Sequence, residues 1–302
     1  MIMLKFILSD LKINFNTIIL KYSKLNPWTN VYGFARCFFA IGLLLTFLLN
    51  EVDILFPIKE MDTILFSYKI SLYGVLKGNL ILSKIITIIV LIWVISGYLP
   101  QISGILHWWV CYSFFISTPL GEGGDQIMSI VTLFLIPICI TDNRINHWHV
   151  PKERGHPYLK LLVWSIFSFL SIQISILYFD ASISKLNVDE WSYGTAIYYW
   201  FTHETHGVAT WLRNITYLLT SNKYIVVFLT WGTMILEFIL GGWIFMKRNT
   251  WNWKLLLLLG IIFHVGIIFA FGLITFFFSM LAVLFIYFYP KESHIELKFF
   301  KK

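Results

Sequence analysis

Lys185 is the residue on which a chemical reading of the chain turns. It lies in the stretch 178–195, YFDASISKLNVDEWSYGT, directly after a long apolar run. Asp180, Asp189, Glu190 and Trp191 are its near neighbours in sequence. A lysine at a membrane edge can be an anchor that pairs with one of those carboxylates. It can also be a partly buried amine, which desolvation turns into a general base or a nucleophile. The residue types leave both readings open.

A second set of polar groups stands near or within apolar runs. Asp125 follows three glycines, Gly121, Gly123 and Gly124, and precedes Gln126. It reads either as a helix N-terminal carboxylate favoured by the dipole or as an acid at the mouth of an outward-facing site. Glu237 and His264 fall in the middle of separate apolar stretches, and Arg36 opens another. Ionisable groups at membrane depth are costly, so each needs a partner or a function. Glu237 and Arg36 are expected to serve as structural polar partners. Glu237 with His264 is the internal pair considered first, and Arg36 has the option of snorkelling to lipid phosphates. Lys185, Asp125 and His264 form the candidate catalytic set, with Gln126, Trp191, Tyr198 and Trp200 as candidate substrate contacts. His203 and His206 could share a helix face, but no further ligand stands at metal-site spacing, so no metal is expected. His147, His149 and His156, among Arg144, Lys152 and Arg154, read as a solvated loop facing lipid headgroups.

The elements that must hold these residues are apolar helices. The chain has 302 residues, of which 58% are hydrophobic and only 13% charged, against roughly 25% charged in soluble domains. An all-α, polytopic membrane bundle follows. Eight stretches approach the roughly 20 residues a spanning helix needs: about 34–50, 84–99, 101–117, 125–141, 158–179, 224–245, 253–271 and 273–289. The stretch 65–82 carries Lys69 and Lys77 and reads as interfacial or re-entrant. In residues 1–24, Leu4, Ile7, Leu8, Leu11, Phe15, Ile18 and Ile19 recur at helical spacing, the pattern of an amphipathic interfacial helix. Residues 25–290 then form the transmembrane domain and 291–302 a basic tail. Cys37, Cys111 and Cys139 lie in separate apolar stretches and read as packing residues.

The net charge of +7 is read as topology and lipid contact, not as nucleic-acid binding. With a cytoplasmic N-terminus, Arg144, Lys152, Arg154, Lys247, Arg248, Lys291 and Lys298 gather inside. Glu51, Asp53, Glu122, Asp125, Asp180, Asp189, Glu190 and Glu204 gather outside. Both termini are then cytoplasmic and Lys185 faces outward. No nucleotide-binding loop, dinucleotide fingerprint or HExxH motif occurs.

Residues 26–36, NPWTNVYGFAR, followed by LLLT at 43–46 and FLLN at 47–50, resemble the opening of the sporulation-delaying protein B family. The GGDQ turn at 123–126 and the block from Tyr178 to Trp200 resemble it too. That family belongs to the HTTM group, which is related to the vitamin K-dependent gamma-carboxylase. The resemblance runs from about residue 25 to 289. Through the carboxylase it implies that Lys185 matches a lysine credited as the base acting on the quinol, and that His264 matches a histidine of a late helix. Asp125 falls near where the carboxylase carries a histidine. The large lumenal substrate-binding domain of the animal enzyme is not expected here.

Through the bacterial family, the resemblance implies a role in turning a secreted toxin-peptide precursor into an active antibacterial peptide, together with a small A-type partner protein. Three readings follow. The first is a maturation enzyme or enzyme subunit with an outward site around Lys185 and Asp125. The second is a non-catalytic scaffold, export accessory or immunity factor. The third is a carboxylase-like enzyme that uses a quinone such as menaquinone.

Overall fold

The structure, a computed structural model, describes residues 16–56, 69–76, 78–119, 121–150, 155–204, 207–246 and 250–296. These residues are mostly helical and contain no strand beyond an isolated bridge between Tyr98 and Asn146. The long helices are α1 (Val31–Leu49), α2 (Leu80–Ser96), α3 (Pro100–Ser117), α4 (Gly123–Thr141), α5 (Pro157–Ser184), α6 (Lys223–Gly241), α7 (Thr250–Phe271) and α8 (Ile274–Phe288). They fall where the apolar runs place them. By length and composition α1, α4, α5, α6 and α7 are long and apolar enough to cross a membrane, and α2 and α8 are shorter apolar helices.

Local chemistry sets the boundaries. Gly97 takes the left-handed conformation (φ 80°) that ends α2, and Pro100 starts α3 as its first residue. Glu122 and Asp125 form a reciprocal capping box at the start of α4. One boundary differs from the sequence reading. The helix containing Asp180 does not close there but runs on to Ser184. Asp180 sits on the exposed face, while buried Ser182 donates to the Met234 carbonyl of α6 and holds the extra turn in place.

The bundle is built from close helix pairs. Thr46 of α1 bonds Thr275 of α8 at 2.6 Å, and Gly42 lets α1 approach Phe278. Gly104 of α3 stands against Cys139 of α4 in the same way. Ser175 of α5 donates to Gly241 of α6. Tyr32, Phe39, Phe47, Met128, Leu135 and Leu284 belong to the continuous apolar core.

Of the 65–82 stretch, residues 80–82 open α2. Among the described residues before them lies a four-residue helix, Leu72–Val75, tied to α3 by Ser113 and Trp109. At the chain start, residues 16–24 are helical and mostly exposed, and Tyr22 packs on Trp164. The rest of the predicted amphipathic segment, and most of the basic tail, lie outside the described residues.

The functional groups separate to opposite ends. Lys185, Glu122 and Asp125 lie at one end with the α7–α8 turn. Arg144, Asn30 and Ile295 lie at the other, where Asn30 exchanges hydrogen bonds with Ile295.

Candidate functional site

Lys185 caps the C-terminus of α5, where a cation favours the helix dipole and its Nζ donates to the Ala181 carbonyl at 2.9 Å. Its other partner is none of the nearby acids of the sequence. It donates to both oxygens of Glu237, at 2.9 and 2.6 Å. The Trp191 ring centroid lies 5.1 Å from the ammonium. Three donors therefore meet three acceptors, and one face meets an aromatic ring. Such a lysine offers no free lone pair. The chemistry it can do begins from the ion pair: Glu237 as the proton acceptor, and the ammonium as the charge that steadies a developing anion.

The pair forms one wall of a cavity of about 460 Å³. Thr233 and Leu229 of α6 continue that wall, and Ile262, Phe263 and Gly266 of α7 stand opposite. Trp191, Trp200 and Phe201 come from the segment that follows α5, and Phe276 comes from α8. Apart from Lys185, Glu237 and Thr233, the lining is apolar, and Thr233 spends its hydroxyl on the Leu229 carbonyl. A second space of about 890 Å³ adjoins it, sharing Trp191, Trp200, Phe271 and Leu273 and adding Glu190, Tyr199 and His203. Its position is set by α6, which runs on from Glu237 to Lys223, about 20 Å at 1.5 Å per residue. The short helices between 189 and 220 pack along that overhang, with Ile197 N–H donating to Thr230.

The sequence-predicted residues divide. Lys185, Trp191 and Trp200 share the cavity. Tyr198 is exposed and packs on Tyr199, and Gln126 is exposed at the start of α4. Neither lines the cavity. Asp125 is 3% exposed and not part of the lining. Phe276 intervenes: it lines the cavity while its backbone lies against Gly124, where an added Cβ would meet the Phe276 Cα at 2.5 Å. Asp125 instead accepts the Glu122 N–H at 3.0 Å. Glu122 accepts a backbone hydrogen bond from Phe276 in the first turn of α8. Burial raises its carboxyl above the usual range, and that bond opposes the rise.

The Glu237–His264 pair is overturned. Glu237 is taken by Lys185, and His264 Nε2 shares a hydrogen bond with the Tyr178 hydroxyl at 3.2 Å. His264 faces α5 rather than the cavity because Phe263 and Gly266, not His264, occupy the lining face of α7. Arg36 is no partner of Glu237 either. It does not snorkel: it is 1% exposed and donates to His147 Nδ1 at 3.2 Å and Ser103 Oγ at 2.8 Å. Because arginine only donates, Nδ1 accepts and His147 carries its proton on Nε2.

His147 belongs to the loop read from sequence as solvated, and that reading fails for its centre. Asp142 and His147 are buried. Arg144 binds Asp142 at 2.7 Å and donates to the Thr29, His147 and His149 carbonyls. Tyr32 donates to Asp142 as well. Burial pushes His147 well below the ordinary histidine range, and Arg36 and Arg144 act in the same direction. His149 and His156 are exposed as expected. The available sequence signal was Tyr32 and Arg36 in one motif, four residues apart on one helical face. Of the possible metal ligands, His203 borders the larger space and His206 lies outside the described residues.

A helical bundle with five membrane-length apolar helices and a half-buried lysine–glutamate pair defines a polytopic membrane protein. The family model described as the HTTM domain matches residues 131–291, and the chain belongs to that family. It is 30% identical over 299 residues to "Uncharacterized protein YitO" of Bacillus subtilis (strain 168), covering 96% of this chain and 94% of that protein. It is 32% identical over 277 residues to "Sporulation-delaying protein SdpB" of the same organism, covering 90% of this chain and 85% of that protein. No solved structure matches the chain.

Proposed function

We propose that this membrane protein takes part in the maturation of a secreted antibacterial peptide from its precursor, at the Lys185–Glu237 site, with a small A-type protein as its partner. The observation that carries the reading is the placement of that ion pair on the wall of an otherwise apolar cavity. Removal from water strengthens a charged pair's action on a bound group. Similarity to the sporulation-delaying protein over nearly the whole chain supports the direction. In this reading the end of the bundle that carries Lys185 faces outward, so an exported precursor reaches it. Glu237 takes a proton from the bound peptide, Lys185 holds the resulting charge, and Trp191 keeps water off the ammonium. Asp125 acts at the structural level, through the α4–α8 junction.

A non-catalytic scaffold is the second reading. It is favoured by one observation: every Lys185 donor is already occupied. The deciding experiment is mass spectrometry of peptides secreted by cells carrying the native gene neighbourhood, comparing wild type with Glu237→Gln and Lys185→Met at equal membrane levels. Loss of mature peptide with accumulated precursor supports the site. Unchanged mature peptide in both variants moves the scaffold reading to first place.

A further inference from the structure

The cavity beside Lys185 is open on one side. Ile262 is 57% exposed and Gly266 is exposed as well, yet both line it. Helix α6 packs on α5, and α7 packs on α8. Across the cavity α6 and α7 face each other without close packing along their length. The outward faces of both helices carry Ile235, Phe238, Leu258 and Phe269 exposed, the surface expected of lipid-facing helices. The gap between α6 and α7 therefore opens sideways, toward the hydrocarbon layer.

The adjoining space has a different character. Among the described residues that line it, Glu190 is the one carboxylate, and Trp191, Tyr199, Trp200 and His203 share the wall with it. A carboxylate among aromatic faces suits a cation, which gains both Coulomb attraction and cation–π contact. A phospholipid head would bring its phosphate to Glu190. The nearby cation that could meet the phosphate, Lys185, is already held by Glu237. One turn of a helix is about 5.4 Å long and 10 Å wide, which matches a cavity of about 460 Å³.

We propose that the cavity receives a membrane-inserted apolar segment of a polypeptide, entering sideways between α6 and α7, with a lysine or arginine flanking that segment held by Glu190 and its aromatic neighbours. This deepens the proposed maturation role and rests on it for the identity of the polypeptide as precursor. Its physical content is separate: a cation-flanked apolar segment binds whether or not it is processed.

The test uses the full chain in lipid nanodiscs with benzoylphenylalanine in place of Ile267, on the cavity wall, or of Ile235, on the outer face of α6. The probes are biotinylated leucine–alanine peptides of about 20 residues, long enough to span the hydrocarbon layer, flanked by two lysines or by two glutamates. The lysine-flanked peptide is expected to label position 267 about tenfold more than the glutamate-flanked one, the effect of ~1.4 kcal/mol. Labelling at 235 is expected to show no such preference. Glu190→Lys should reverse the preference. Gly266→Leu, whose side chain enters open space, should block labelling, and Gly232→Leu, also in open space but off the cavity wall, should not. Equal labelling by both peptides in wild type and Glu190→Lys overturns the proposal. So does capture of lipid alone at position 267. If labelling behaves as expected but Glu237→Gln and Lys185→Met both still yield mature peptide, only the maturation role falls. If maturation needs Lys185 but tolerates Gly266→Leu at full membrane levels, only the sideways-entry proposal falls.

Discussion

Lys185 and Glu237 are 52 residues apart in the chain and meet at 2.6 Å. Lys185 ends α5, and Glu237 lies one turn before the end of α6, so the contact pins the tip of one helix to the flank of another. Removing one member of a desolvated pair leaves the other charge without compensation. The Lys185 and Glu237 side chains retain 21% and 10% exposure, which places the cost at the low end of the range for buried pairs. Lys185→Met and Glu237→Leu should each destabilise the protein by about 3 kcal/mol, and the double variant should recover most of that. Thermal unfolding in detergent, read by thiol-reactive dye, checks it. Strict additivity of the two single effects would exclude coupling.

Gly124 and Gly266 make opposite predictions. A Cβ at 124 would run into the Phe276 backbone, whereas one at 266 meets nothing within 4 Å. Gly124→Ala should cost about 1–3 kcal/mol, as overpacked sites do. Gly266→Ala should leave stability unchanged or raised by a few tenths of a kcal/mol, because alanine favours the helix. The same unfolding assay reads both.

His147 links stability to acid pH. Burial holds its pKa well below the ordinary value, so the folded protein keeps it neutral while the unfolded chain protonates it as pH falls through the ordinary histidine range. The unfolded state then binds more protons, and stability must fall as pH drops below about 6.5. Unfolding temperatures measured between neutral and mildly acidic pH should decline for wild type and decline less for His147→Gln. Parallel curves for the two proteins would remove His147 as the source.

Tyr178 and His264 form the neutral polar contact behind the cavity. Among the described residues His264 Nδ1 has no hydrogen-bond partner, so losing the Nε2 contact takes away the ring's one polar contact there. Tyr178→Phe is expected to cost about 1–3 kcal/mol, and Tyr178→Phe with His264→Leu less than that.

Orientation can be read directly. All three native cysteines are buried, which gives a low background for an impermeant maleimide. Leu186→Cys should label on intact cells and His149→Cys only after permeabilisation. The opposite pattern would place the Lys185 end in the cytoplasm and remove access by an exported precursor.

Much of the helical layout was legible in the chain because an apolar run and its Gly or Pro boundaries are local properties. The runs behind α1 to α8, the glycine turn into α4 and the singular position of Lys185 all belong to that class. The extent of α5 was not legible, since Asp180 is a plausible stop until its exposed face is known. Nor was the partner of Lys185: Asp180, Asp189 and Glu190 are closer in sequence, and only the crossing of α5 with α6 brings Glu237 to the ammonium. Similar residue types hid opposite fates for His147 and His149, one bonded to Arg36 in the core and the other exposed. Periodicity specifies which residues share a face of one helix. Which faces meet, and at what depth, depends on close approaches such as Gly124 to Phe276 that exist only after the helices pack. Those approaches put Asp125 on one side of α8 and Lys185 on the other, and left the cavity between α6 and α7.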